Sequence, residues 1–301
     1  MGLGGWAMMR LAKRERDFAL MIMPAALGFT VLFILPVAMS FFYSMTDWSM
    51  YRRTISWIWF SNYVQLFKDE KIVGAILNSL KYAVVITFVQ NTLAIASSVF
   101  LCRSSWGAKL LKSVMFFPAV LSVMVVGYLF KYIMSSADYG LLNRIIIFFG
   151  GHAVNWLGSA KLALYSVLLT QIWQWTGWAM VIYAANIKSI SPALYEAARI
   201  DGASALQMFS GVTLPLLYPA VSFNVLMSLI GGLKVFDAIF AMTGGGPGYA
   251  SATMITLLIQ TGFNTGRMAF ACAFSVVFFA IVFTLSKALM SVFGRWEGAV
   301  T

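Results

Sequence analysis

Residues 195–215 read YEAARIDGASALQMFSGVTLP and gather Glu196, Arg199 and Asp201 into a polar stretch between two hydrophobic runs. Local signals parse it into two short helices around a corner. Ser191 stands where its hydroxyl can cap a helix start, and Pro192 follows at the first helical position, where its missing N–H removes a donor that would be unpaired anyway. Asp201-Gly202 is a turn pair, because glycine takes the left-handed conformation that ends a helix without a Cβ clash. Ser204 restarts a helix with Gln207 three residues later, the spacing of a capping box. Pro215 and Pro219 stand where the next hydrophobic run begins. On helical pattern alone this is a solvated loop at a membrane surface.

The rest of the chain supplies that membrane. Of 301 residues, 61% are hydrophobic and 10% charged, and the mean hydropathy is +0.84, whereas soluble domains carry about 25% charged residues. A bilayer core about 30 Å thick takes about 20 apolar residues of helix. Such runs recur at 18–45, 80–101, 110–134, 162–186, 214–236 and 268–292, which predicts an all-α membrane protein with about six transmembrane helices. The first run is over-long, so it tilts or reaches the interface, with Pro24 and Pro36 shaping its ends. Their recurrence excludes a signal peptide as the explanation. Cys102 and Cys272 lie in or beside apolar runs, which excludes a disulfide framework, and His152 is the sole histidine. The formal net charge of +11 belongs to basic flanks of spans rather than to nucleic-acid binding.

Arg10, Lys13, Arg14 and Arg16 precede the first span, and the first flank usually sets orientation. Both termini are therefore expected in the cytoplasm, although the long connectors across the membrane also hold Arg52, Arg53, Lys68 and Lys71. The predicted organisation is a cytoplasmic or interfacial segment 1–17, a transmembrane domain 18–292 with the polar loop at 187–215, and a cytoplasmic tail 293–301. The connectors 46–79, 135–161 and 237–267 are read as long loops, and 102–109, with Arg103 and Lys109, as a short basic one. Trp48, Trp57, Trp59 and Trp156 in the long connectors read best as an aromatic belt, with docking of a soluble partner as the other reading.

Glu196-Ala197-Ala198, Asp201-Gly202-Ala203, Phe209 and Leu214-Pro215 resemble the EAA loop of ABC-importer permeases. Val212 stands where that family usually has isoleucine. A second stretch, FDAIFAMTGGGPGYASAT at 236–253, is similar to the segment before the last span in the sugar-importing branch. The motifs cover the carboxyl-terminal third; residues 1–80 match by layout alone. The resemblance implies a type I importer permease fold in the bacterial cytoplasmic (inner) membrane, with the first loop helix docking as a coupling helix on a cytoplasmic ATPase. It gives Glu196 a charged contact there, with Arg199 in the same element, close backbone approach at Ala197 and Ala198, and the corner at Gly202. It further implies a second homologous permease, two ATPase copies that use ATP and magnesium, and a periplasmic or extracellular substrate-binding protein. This chain is expected to be non-enzymatic and to bind no cofactor itself.

No Gly-Lys pair occurs anywhere, so the chain has no phosphate-binding P-loop. The triple glycine at 244–246 reads as a tight extracytoplasmic turn. A substrate pathway should show as polar or small residues on one face of several spans. In the second run, Thr87, Gln90, Asn91, Ala94, Ser97 and Ser98 share a face; in the fourth, Gln171, Gln174, Trp175 and Trp178; in the fifth, Asn224, Ser228 and Gly231. Amides and indoles suit sugars, which offer hydroxyls and a C–H face. Helix packing explains such residues equally for the fourth run and better for the others. Lys81, Lys131 and Lys234 lie near span ends, where snorkelling is the ordinary reading. A lysine facing the pathway would instead favour an acidic substrate, such as a uronate oligosaccharide of alginate type. The alternative, an ion-coupled secondary transporter of a polar solute, lacks mid-span carboxylates, and no nucleophile–base pair or metal constellation suggests an intramembrane enzyme.

Overall fold

The computed structural model describes residues 18, 20–52, 54–101, 106–136 and 139–300. The segment 1–17 with its arginines, and Arg53, Cys102 and Arg103, lie outside the described residues. In chain order the helices are α1 (Leu20–Ser44), α2 (Ser61–Lys68), α3 (Glu70–Leu101), α4 (Trp106–Val120), α5 (Val123–Ile133), α6 (Leu141–Phe148), α7 (Ala163–Ser189), α8 (Pro192–Ile200), α9 (Ala205–Leu216), α10 (Tyr218–Leu233), α11 (Asp237–Met242), α12 (Met254–Ile259) and α13 (Met268–Val300). Two compact units divide the chain: Met1–Gln65 with Thr261–Val276, and Leu66–Gln260 with Val277–Thr301.

In the first unit α1 runs through both prolines rather than ending at them. Ahead of Pro36, which has no N–H to give, it loosens into a π turn at Thr30–Ile34, where the Leu35 N–H donates to Thr30 O. After α1 a short antiparallel ribbon forms. Thr46 bridges Trp57, Asp47 N donates to Ser56 O at 3.0 Å and Ile58 N to Met45 O at 2.9 Å. The buried Asn62 amide of α2 donates to Ser44 O and Thr46 O, both at 2.8 Å, and so pins the turn against the helix end. The expected loop 46–79 is thus a ribbon at 45–60 followed by helix.

The second unit is organised around α7, which packs along α3 and α4, while α10 packs along α3 and α5 along α11. Glycines permit the closest approaches: a Cβ on Gly232 would sit 2.7 Å from Ala83 Cα, and one on Gly177 would fall onto the Met115 carbonyl oxygen. Two apolar clusters form, one around Tyr82, Leu164, Val167, Ile172, Ile239 and Met242, the other around Ala94, Met180, Tyr183, Leu217 and Ala220. Connectors 135–161 and 237–267 hold α6, α11 and α12 rather than open loop. The glycine turn adopts positive φ at Gly244, Gly245 and Gly248.

Each hydrophobic run falls on helix, but not as six straight spans. Among the described residues three helices, Leu20–Ser44, Glu70–Leu101 and Met268–Arg295, are long and apolar enough to cross a membrane, and two bent pairs qualify only when each is joined. The third run breaks between α4 and α5 with a bend of 99°. Pro118 withholds an N–H inside α4, and at Ser122 the backbone turns to ψ 134°. Neither half alone, about 22 Å and 16 Å at 1.5 Å per residue, crosses the hydrocarbon. The 27 residues of α7, about 40 Å long, are ample, but its amides and indoles dilute its apolarity.

Candidate functional site: a cavity and an elbow

Between the two apolar clusters, along α3 and α7, lies a cavity of about 300 Å³. Its wall includes Tyr82, Gln90, Gln171, Trp175, Trp178 and Ser228, with Lys234 and Asp237 towards the junction of α10 and α11. Six of the thirteen residues expected on pathway faces are here: Gln90, Gln171, Trp175, Trp178, Ser228 and Gly231. Asn91 and Asn224 are engaged within and between helices instead. Asn91 Nδ2 donates to Thr87 O at 2.7 Å and to Ser228 Oγ at 2.9 Å, and its Oδ1 accepts from the Tyr183 hydroxyl at 2.6 Å, so it ties α3 to α7 and α10. Asn224 Nδ2 donates within its own helix to Ala220 O at 3.1 Å.

Gln174 has a different task. It is fully buried, and its Nε2 donates to Leu121 O at 3.0 Å, the carbonyl at the α4–α5 break. Inside a bilayer an unpaired carbonyl finds no water, so a broken span needs such a donor. The chain of bonds continues to the cavity: Gln171 Nε2 donates to Gln174 Oε1 at 2.9 Å, and Trp175 Nε1 donates to Gln171 Oε1 at 3.1 Å. The break is therefore linked to an indole on the cavity wall.

Sequence reading missed Tyr82, Asp237 and the wall formed by Met227 and Phe236. Tyr82 carried a usable signal, because with Ile86 and Gln90 it repeats every four residues along one face of α3. Its hydroxyl is buried with no hydrogen-bond partner among the described residues. Of the three lysines considered, Lys234 lines the cavity; Lys81 and Lys131 are exposed on their helices.

The loop 187–215 forms an elbow. Pro192 occupies the first turn of α8, but Ser191, although at the N-cap, makes no side-chain capping bond. Gly202, at φ +77°, ends α8 with Gly202 N donating to Arg199 O at 3.1 Å and Ala203 N to Ala198 O at 2.9 Å, the paired bonds of a Schellman turn. The expected capping box is formed: Gln207 N donates to Ser204 Oγ and Ser204 N to Gln207 Oε1. Tyr195 and Thr213 hydroxyls meet at 3.0 Å and brace the two arms. The arm does not run straight into the next span through Leu214 and Pro215; the chain bends by 69° between α9 and α10, beside Pro215 at the end of α9 and Pro219 in the first turn of α10.

No residue of α8 is buried. Glu196, Arg199 and Asp201 are exposed, and the ion pair found among the described residues, Arg52 with Asp47, involves none of them. Ile200 and Leu206 are 86% and 75% exposed at the corner, so the elbow presents apolar side chains beside unpaired charges.

A polytopic helical chain with a largely apolar cavity set with amides and indoles in its helix bundle, and an exposed elbow, belongs to the class of membrane permeases. It is a member of the family "Binding-protein-dependent transport system inner membrane component", which it matches over residues 90–296. Its relatives include the probable ABC transporter permease protein YurN of Bacillus subtilis (strain 168), 33% identical, with 89% of this chain and 93% of that protein covered. The trehalose/maltose transport system permease protein MalF of Thermococcus litoralis is 28% identical, with 96% and 97% covered. Among solved structures, a chain of a bacterial ABC transporter involved in the import of the acidic polysaccharide alginate superposes with a TM-score of 0.84 at 22% identity, covering 96% of this chain and 99% of that one. At that identity the likeness speaks for the fold.

Proposed function

We propose that this chain is a membrane subunit of an ATP-driven importer that conducts a neutral saccharide through the α3–α7–α10 cavity. A second permease completes the pathway, a soluble binding protein delivers the substrate, and two ATPase copies bind below. The chain itself is non-catalytic; ATP and magnesium are used by the partner. The termini and the elbow lie in the cytoplasm, as the basic residues before the first span favour.

The observation that carries the reading is the elbow, with three unpaired charges and two exposed aliphatic side chains on a corner held by a Schellman turn and a capping box. Such a surface is costly to leave bare and suited to a groove on a soluble partner. The trehalose/maltose relative and the cavity wall support a saccharide: hydroxyl-binding amides at Gln90 and Gln171 stand beside the indoles of Trp175 and Trp178. Lys234 and Asp237 are opposite in sign, so the wall carries no net charge to select a uronate.

The test is uptake by cells or proteoliposomes carrying the complete transporter with Glu196→Lys or Gly202→Asp. Both variants should insert normally, lose uptake and fail to retain the ATPase on purification. Uptake at the unmodified rate by either would overturn the assignment.

A further inference from the structure

In the first unit a second cavity, of about 340 Å³, is lined by Asp47, Trp48, Ser49, Arg52, Asn62, Gln65, Arg267 and Phe270, among others. Two guanidiniums face one carboxylate, so the wall carries an excess positive charge. Asp47 is already committed: Oδ1 accepts from Ser56 N at 2.6 Å and Oδ2 from Arg52 Nη1 at 3.2 Å. Arg267 has no carboxylate partner among the described residues; it donates to the neutral Gln65 Oε1 at 3.1 Å and lies over the Phe270 ring at 4.1 Å. The site is built rather than floppy. Ser49 Oγ and Met50 N donate to Gly266 O at 3.1 and 3.0 Å, and Ala269 N donates to Trp48 O at 2.9 Å, fixing the two arginine-bearing segments together.

Its position identifies the ligand's source. The cavity opens where α1 ends at Ser44 and α13 begins at Met268, the level at which apolar spans meet lipid head groups. Trp57, Trp59, Phe60 and Tyr51 are exposed in the same unit, as interfacial aromatics are. The apolar window of α1 has no residue buried within the chain. A guanidinium fork matches phosphate oxygens in geometry as well as charge.

We propose that this cavity binds the phosphate of an anionic phospholipid head group, with Arg52 and Arg267 as the phosphate ligands. The site is independent of the translocation cavity, and its failure would leave the transport assignment untouched.

The test uses the full-length chain in phosphatidylcholine proteoliposomes doped with spin-labelled phosphatidylglycerol or spin-labelled phosphatidylcholine, reading the immobilised fraction of each. Phosphatidylglycerol should be preferred, and Arg267→Gln should lower the preference about fivefold, the effect expected of one basic residue near the head groups. Arg52→Lys with Arg267→Lys should keep most of it. An unchanged immobilised phosphatidylcholine fraction shows that the variants are inserted and packed. Inorganic phosphate at tens of millimolar should not compete; displacement by it would make this a free-anion site and overturn the lipid assignment. Equal retention of the two lipids by the unmodified chain, or an undiminished preference in Arg267→Gln, would also overturn it.

Discussion

Gln171, Gln174, Trp175 and Trp178 share a helical face, yet the structure gives them two kinds of work. Trp175 and Gln171 stand on the cavity wall, while Gln174 supports the Leu121 carbonyl at the helix break. Gln174→Leu keeps the bulk and removes the donor, so it should lower stability by about 1–3 kcal/mol, the cost of a buried unpaired polar group. A reduced thermal midpoint in detergent, with normal membrane insertion, checks this. Trp175→Ala should act on both readouts: it leaves the buried Gln171 Oε1 without its indole donor, so the midpoint falls, and the apparent KM for uptake should rise by up to about tenfold if stacking of 0.5–1.5 kcal/mol is lost. Asn91→Ala would strand the Tyr183 hydroxyl that donates to it at 2.6 Å and should again appear as lost stability. Nothing in the sequence separates Gln174 from Gln171, because the distinction depends on a carbonyl more than fifty positions away.

At the scale of the elements, two glycines that look alike in sequence have opposite constraints. Gly202 has φ +77° with no atom within 4 Å of a built Cβ, so Gly202→Ala costs only the left-handed backbone, about 1–2 kcal/mol. Gly177 is an ordinary helical residue whose added Cβ would fall onto the Met115 carbonyl oxygen, forcing α7 away from α4. Gly177→Leu should therefore abolish stable insertion, whereas Gly202→Ala should insert normally and retain part of its uptake; quantifying membrane-integrated protein beside transport separates the two. The elbow was legible because capping boxes, proline starts and glycine stops are local signals. The bends of 99° and 69° were not. Apolar windows average over a break, and proline marks where one is permitted without giving its angle.

For the whole molecule, membership of a binding-protein-dependent transport family predicts a specific energy dependence. Uptake by the complete transporter should survive dissipation of proton and sodium gradients and stop when ATP is depleted; the reverse outcome would favour ion-coupled transport. The charge-balanced cavity predicts uptake of a neutral maltodextrin in preference to an oligo-uronate, measured with labelled substrates, and replacing Asp237 with Asn should shift that preference towards the acid. The amino-acid sequence by itself determined the membrane class and the order of the hydrophobic runs, because the hydrophobic effect acts on runs of neighbouring residues. It determined the elbow too, whose stops and caps act within a few residues. Tertiary structure alone decided which polar residues of one face meet a cavity and which meet another helix, where the third span breaks, and that Arg52 and Arg267, more than two hundred positions apart, line one pocket. Those outcomes depend on burial and on partners distant along the chain, which no local pattern encodes.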